Sequence, residues 1–327
     1  MNHRLFRIIR RDWTVRGTFR ISRSALSVIP TVQVEITEGT HRGRAECRPY
    51  ARYGQTVESV TTELEAVRAL VEGGADREAV NAALPAGPAR NAVDCALWDL
   101  EAKRAGRTVA SLAGLPEPAP RDTAYTLSLD APDAMATAAR DAGEFRLLKL
   151  KLGREGALAC VRAVCEARPD ARLIVDANEA FDADGFHALY DALLPFPIAV
   201  IEQPLPASDT SALPSGPIPI CADESLHVAD DLPRLRAQGF GSMNVKLDKC
   251  GGFTAALELM RRAKRMELGV MAGCMVGSSL AMAPMVVLAG LADVVDLDGP
   301  ALLADDMEDG LRYQGGQVFP PSRTLWG

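Results

Sequence analysis

The chain lacks an excess of basic residues, a long apolar run and any close pairing of its cysteines. Each absence removes a class of function. Lys and Arg number 36 against 43 Asp and Glu, a net charge of −7, and no basic cluster interrupts that balance. Nucleic acid is therefore not expected as a partner. The longest apolar stretch, residues 280–291, contains Pro284 and is too short to span a bilayer, so no membrane association is expected. The seven cysteines are scattered with no C-x-x-C pair, which excludes a zinc knuckle and a redox motif and fits reduced thiols in a cytosol. Residues 1–13 carry arginines and no apolar stretch, so they do not read as a secretory leader, and a cytoplasmic location is expected. Histidine is scarce as well, at four.

What is present is a chain of 327 residues, 48% hydrophobic, long enough for one large barrel and a smaller unit. A Pro-rich segment at residues 115–120 divides it. Before that segment, residues 6–9, 19–21 and 28–36 read as strands, and residues 59–71 and Pro88–Ala105 as helices, with Gly106 as a C-cap. Strands followed by helices predict a segregated α+β capping domain over residues 1–118. After it, short apolar runs alternate with helical stretches. Eight strand candidates fall at residues 123–129, 147–152, 173–176, 199–202, 218–222, 242–247, 269–273 and 294–297. This spacing favours a parallel α/β barrel of the TIM type over residues 119–303. The tail, about residues 304–327, is expected to pack back on the cap.

Charged landmarks follow five of these runs: Lys149-Leu150-Lys151, Asp176-Ala177-Asn178, Glu202-Gln203-Pro204, Asp223-Glu224-Ser225 and Lys246-Leu247-Asp248. From Lys151 the steps to Asp176, Glu202, Asp223 and Lys246 are 25, 26, 21 and 23 residues, about one strand, one helix and two loops. A parallel barrel brings all of them to one rim, where barrel active sites lie. Asp176, Glu202 and Asp223 are hard oxygen donors without histidine or cysteine neighbours, which favours Mg²⁺, or Mn²⁺, over zinc. Lys151 and Lys246 fall on opposite walls. A second ammonium and a dication nearby are expected to lower their pKa, making a general base. Lys149 is expected on the other face of its strand from Lys151 unless the strand end is distorted. Two bases facing one metal-bound carboxylate suit removal and return of an α-proton through an enediolate, which is epimerisation, or a β-elimination where a leaving group is present.

These motifs, with Asn244-Val245-Lys246-Leu247-Asp248-Lys249-Cys250-Gly251-Gly252, resemble the enolase superfamily over essentially the whole chain. A Lys or His base with Mg²⁺ and an enediolate is that superfamily's known pattern. The resemblance implies an α+β cap on a modified (β/α)7β barrel. The lysine pair implies the muconate-lactonizing subgroup. No histidine lies near residues 271–274, against the mandelate-racemase and dehydratase activities. Among the subgroup's reactions, Asp296-Leu297-Asp298 resembles the dipeptide epimerase motif that holds a substrate α-ammonium. Arg23 resembles the arginine that pairs the glutamate side chain in L-Ala-D/L-Glu epimerases, and residues 49–54 resemble their cap loop. Lys149 is then an electrostatic aid at the substrate carboxylate.

The resemblance thus implies a small dipeptide, Ala-Glu, as substrate, in murein peptide recycling, with a homo-oligomer left open. N-acylamino acid racemisation and o-succinylbenzoate synthesis are alternatives on the same scaffold. A barrel that binds metal and ligand without turnover is a remote one. Gly251-Gly252 reads as loop geometry, Cys274 as an inert thiol, and Asn178 as either a neighbour of the metal or a turn residue. Glu224 is expected to point away from the site.

Overall fold

The computed structural model describes residues 4–21 and 24–327. Strand β1 (Arg4–Ile21) pairs antiparallel with β2 (Ser24–Glu38), and β2 with β3 (His41–Cys47). The two short strands expected at 6–9 and 19–21 are one. Its register shifts between Thr14 and Phe19, where Gly17 takes φ +71, and the irregularity breaks the alternation that marks a strand. β3 was not anticipated, because four of its seven residues are charged or Gly; Arg44 and Glu46 are nonetheless buried.

The helix expected at 59–71 is two, α1 (Val57–Ala66) and α2 (Arg68–Glu72), turned at Val67. Thr56 and Ser59 cap α1 reciprocally, which starts it two residues earlier. α3 (Arg77–Ala83) is capped by Asp76. α4 (Pro88–Ala105) has the expected bounds, set by Pro88 in its first turn and Gly106 at φ +63 after its last. It lies between the sheet and the barrel. Trp98 Nε1 donates to Thr254 Oγ1 at 2.9 Å, and Asn91 Nδ2 to Asp248 Oδ1 at 2.8 Å. On its other side β3 approaches so closely that a Cβ at Gly43 would overlap Ala96 O and lie 2.7 Å from Leu100 Cβ. Gly43→Ala is therefore expected to lower stability by about 1–3 kcal/mol in denaturant titration, because neither backbone can retreat.

A short helix α5 (Val109–Leu112) and a strand β4 (Arg121–Asp122) lead into the barrel. Its strands are β5 (Tyr125–Leu127), β6 (Leu147–Lys151), β7 (Arg172–Asp176), β8 (Ile198–Glu202), β9 (Ile220–Ala222), β10 (Ser242–Val245), β11 (Gly269–Ala272) and β12 (Val294–Val295). They form one curled, parallel, eight-stranded sheet in chain order. Its two edges meet where Ala124 N donates to Val295 O at 2.9 Å. The connecting helices are α6 (Pro132–Asp141), α7 (Ala157–Ala167), α8 (Ala183–Leu193), α9 (Leu232–Gln238), α10 (Leu247–Cys250), α11 (Phe253–Arg265) and α12 (Ser279–Leu288). The expected helical stretch between β8 and β9 is missing among the described residues. Pro204, Pro206, Pro214, Pro217 and Pro219 deny that segment its backbone donors.

Ala124, Ile174, Val200, Cys221 and Met271 pack together as a small cluster of their own, with Leu147 and Val294 against it. This is the barrel's inner face. Side chains two residues further along each strand share that face, one layer nearer the C-terminal rim. Lys149, Asp176, Glu202, Asp223 and Asp296 are among those positions. The tail does not simply return to the cap. Gly315 and Gly316, both at positive φ, turn β13 (Tyr313–Gln314) onto β14 (Gln317–Val318), and that hairpin pairs with β4. On either side of this hairpin the tail reaches the cap: Ala304 N donates to Thr14 O at 2.8 Å and Arg44 Nη2 to Asp309 Oδ2 at 3.1 Å before it, and Trp326 Nε1 donates to Cys95 O at 3.1 Å and Arg44 Nη2 to Thr324 O at 2.6 Å after it.

Candidate active site

The layer above the apolar cluster is charged and almost fully buried. Asp176 and Glu202 are 0% exposed and Lys149 is 2% exposed. Lys149 Nζ lies 2.7 Å from Asp296 Oδ2, 2.7 Å from Glu202 Oε2 and 3.1 Å from Asp176 Oδ2. Lys151 Nζ donates to Asp176 Oδ2 at 2.6 Å, so both lysines of β6 meet the same oxygen. The expectation that they point to opposite faces is wrong, since positions two apart on a strand share a face and no distortion is needed. Lys246 Nζ donates to Asp223 Oδ2 at 2.7 Å, and Lys249 Nζ bonds Asp223 Oδ1 from the following turn.

These contacts decide the protonation of the cluster. Burial works to raise the Asp176 pKa, but the Lys151 and Lys149 ammonium groups outweigh it and bring it to about 2. Glu202 goes the other way. Burial, then the neighbouring Asp176 carboxylate, push it up to about 8. Burial works against the charged form of Lys246, yet Asp223 and Glu202 outweigh it and hold the ammonium well above its ordinary range. The same balance acts on Lys149 through Asp296, Glu202 and Asp176. Without a cation beside it, Lys246 is therefore held charged by the carboxylates around it, and the lowering expected from the sequence belongs to a site that also holds a dication.

As the side chains stand, no three His, Cys, Asp or Glu residues among those described converge closely enough to hold a metal ion. Ammonium groups sit between the carboxylates. The donor set still fits a hard divalent cation. Asp176, Glu202 and Asp223 end three adjacent strands, and Asp176 pairs with Glu202 in register. Glu202 Oε2, although near Lys149, accepts no well-directed hydrogen bond. Glu202, pushed up to about 8 by burial and by Asp176, is the carboxylate of the row that a cation would relieve.

Asp296 Oδ2 meets Lys149, and its Oδ1 is buried without a hydrogen bond. Asp298 Oδ2 accepts from Thr126 N at 2.6 Å, and burial followed by the charge of Asp296 pushes its pKa up to about 6. Arg23 lies outside the described residues. Lys151, Lys246, Asp223 and Cys274 line one cavity of about 60 Å³ with Tyr50 and Tyr53. That is smaller than a usual ligand site, so side chains must shift when a dipeptide enters. A larger cleft of about 700 Å³, beside α6 and residues 300–313, contains none of the lysines and is not the site of this chemistry.

Glu224 does not point away. It lines the cavity, and Asn178 Nδ2 donates to its Oε1 at 3.3 Å. Asn178 turns the chain at φ +43, and its N donates to Asp176 Oδ1 at 3.0 Å. Burial pushes the Cys274 thiol up, so it is unactivated. Gly251 and Gly252 are loop geometry at positive φ, tight against Arg90 and Asp94 of α4. Three contributors went unassigned in the sequence. Asn244 Nδ2 holds Glu202 Oε1 at 2.7 Å, Gln203 Oε1 accepts from Asp223 N at 2.9 Å, and Lys249 holds Asp223. Asn244 was legible, being two residues before Lys246 on one strand.

Comparison with known proteins agrees with this geometry. The family model for the mandelate racemase / muconate lactonizing enzyme N-terminal domain matches residues 4–114, and the enolase C-terminal domain-like model matches residues 133–324. An L-Ala-D/L-Glu epimerase of Escherichia coli (strain K12) is 40% identical over 96% of this chain and 99% of its own length. An N-acetyl-D-glutamate racemase of a Pseudoalteromonas species is 41% identical over 90% of this chain and 95% of its own. A crystal structure of an enolase family member from Agrobacterium tumefaciens, homologous to dipeptide epimerases and holding sodium and L-Ala-L-Glu, superposes with a TM-score of 0.96. It is 42% identical and covers 99% of this chain and 100% of its own. With two matching domains and a charged rim of this composition, the chain belongs to the mandelate racemase / muconate lactonizing branch of the enolase superfamily.

Proposed function

We propose that the protein epimerises the glutamate α-carbon of L-Ala-D/L-Glu, with Mg²⁺, or Mn²⁺, held by Asp176, Glu202 and Asp223. The observation that carries this reading is the placement of Lys151 and Lys246 on one cavity wall each, either side of the carboxylate row. When bound, the cation stabilises negative charge on the substrate carboxylate as the α-proton leaves. Released from Asp176 and Asp223, one of Lys151 and Lys246, as the neutral amine, takes the α-proton from its face, and the other, as the ammonium, gives a proton to the opposite face of that carbon. Lys149 supplies a fixed positive charge beside the substrate carboxylate. The relatives from Escherichia coli and Agrobacterium tumefaciens support the dipeptide as substrate. Murein peptide recycling in the cytoplasm follows from that substrate as part of the same proposal.

Racemisation of an N-acylglutamate is the second reading, favoured by the Pseudoalteromonas relative. The two differ at the substrate nitrogen. A dipeptide brings an ammonium, and the buried Asp296 Oδ1 has an acceptor to offer it. An N-acyl group brings none. Asp298 must be ionised to help hold an ammonium, and its pKa is about 6. Below that pH it takes up a proton and loses its charge, so KM for L-Ala-L-Glu is expected to rise as pH falls from about 7 to 5. Asp298→Asn should raise KM about tenfold at pH 7 and flatten that rise. Chiral analysis of products from L-Ala-L-Glu and N-acetyl-L-Glu tests the assignment. Turnover of the N-acyl compound alone would replace the dipeptide reading with the second one.

A further inference from the structure

Asn244 stands on β10, two residues before Lys246 and in register with Met271 of the apolar cluster. It therefore faces into the barrel, and it is fully buried. Its amide reaches Glu202, where Nδ2 donates to Oε1 at 2.7 Å, while its own Oδ1 is buried without a hydrogen bond. An unmet buried acceptor is costly, so the amide is kept for its donor side. The space it fills belongs to the neighbouring strand. Gly273, two residues after Met271, holds the inward position of β11 in the charged layer and has no side chain to put there. A Cβ at Gly273 would lie 2.0 Å from Asn244 Oδ1 and 2.9 Å from its Nδ2. Gly273 is not among the glycines at positive φ, so what it provides is room for the amide, not backbone freedom.

We propose that Asn244 is a positioning residue for the divalent cation, acting through Glu202, and that Gly273 makes its place. This rests on the reading of Asp176, Glu202 and Asp223 as the ligands. The terminal torsion of a glutamate is soft, so a carboxylate that nothing holds turns freely. Asn244 pins Oε1. Oε2, which lies beside Lys149 and accepts no well-directed hydrogen bond, is the oxygen left to a cation. Lys246 Nζ stands 3.9 Å from the same Oε1, too far to take over the amide's bond. An amide also does this without adding charge. A lysine or arginine in its place would hold the carboxylate more strongly and repel the cation that Glu202 is there to bind.

The test is the calorimetric Kd for Mg²⁺ and for Mn²⁺, without substrate, in the wild type, Asn244→Leu, Gly273→Ala and the double variant. Asn244→Leu keeps the bulk and loses the donor, and should raise Kd by about 10–100-fold. Gly273→Ala leaves every donor in the chain but displaces the amide, and should raise Kd in the same direction. The double variant should be no worse than Asn244→Leu alone, because both changes remove one hydrogen bond. If Asn244→Leu does not fold, Asn244→Ala takes its place with the same expectation. Excess Mg²⁺ should restore most of kcat for L-Ala-L-Glu in the single variants, which it would not do for damage to the fold. An unchanged Kd in a folded Asn244 variant would overturn the proposal, and losses that add in the double variant would overturn the part given to Gly273. A wild type that binds neither cation would overturn the reading of the three ligands, and the proposal with it.

Discussion

Lys151→Ala and Lys246→Ala are each expected to cut epimerisation of L-Ala-L-Glu by about ten-thousand-fold, the upper end for loss of a positioned acid–base group. The losses come from different halves of the reaction. With one lysine gone, the other still reaches the α-carbon from its own face, so each variant should exchange the α-proton with solvent from one epimer only. The two should fail on opposite epimers, because the lysines end strands on either side of the carboxylate row. Retained two-way turnover in either variant would contradict the two-base arrangement. Lys149→Ala differs in kind. Its ammonium touches three carboxylates and serves as counter-charge, so its loss should not split the epimers.

Asp223→Ala should have the largest effect on stability. Lys246 and Lys249 both end on this carboxylate, and both ammonium groups are buried. Removing it strands two cations, and breaking a buried pair in this way costs about 3–5 kcal/mol. Equilibrium denaturation of the metal-free protein measures it. Adding Lys249→Met should return part of the loss, because it removes one stranded charge. A decrease under about 1 kcal/mol would mean that water reaches these lysines and that the site is less enclosed than described. The Asp223 pKa is held well below the carboxylate range: burial works to raise it, but Lys246 and Lys249 outweigh that. Its stabilising contribution is therefore present above the ordinary carboxylate range and is lost as pH falls through the depressed value.

The site was legible because it is periodic. A strand-helix repeat of 21 to 26 residues brought Lys151, Asp176, Glu202, Asp223 and Lys246 to one rim, and the structure places them there in adjacent strands. α4 was equally plain, with a proline at its start and a glycine after its end. What failed was local. A glycine in β1 made one strand read as two, and charged residues concealed β3, whose buried Arg44 and Glu46 are matched by the distant Asp309 and Ser278. Five prolines removed a helix that the repeat called for. Protonation was the least legible. The direction of a lysine shift depends on how many carboxylates surround it, and only the folded arrangement sets three of them around Lys149.

Proton NMR of L-Ala-L-Glu with the protein and Mg²⁺ in D₂O tests the central claim most directly. The expected result is loss of the Glu α-proton signal together with growth of the L-Ala-D-Glu diastereomer, both stopped by a chelator and restored by Mg²⁺. An α-proton signal that persists through long incubation with active, metal-loaded protein would contradict the assignment of Lys151 and Lys246 as the acid–base pair for this substrate.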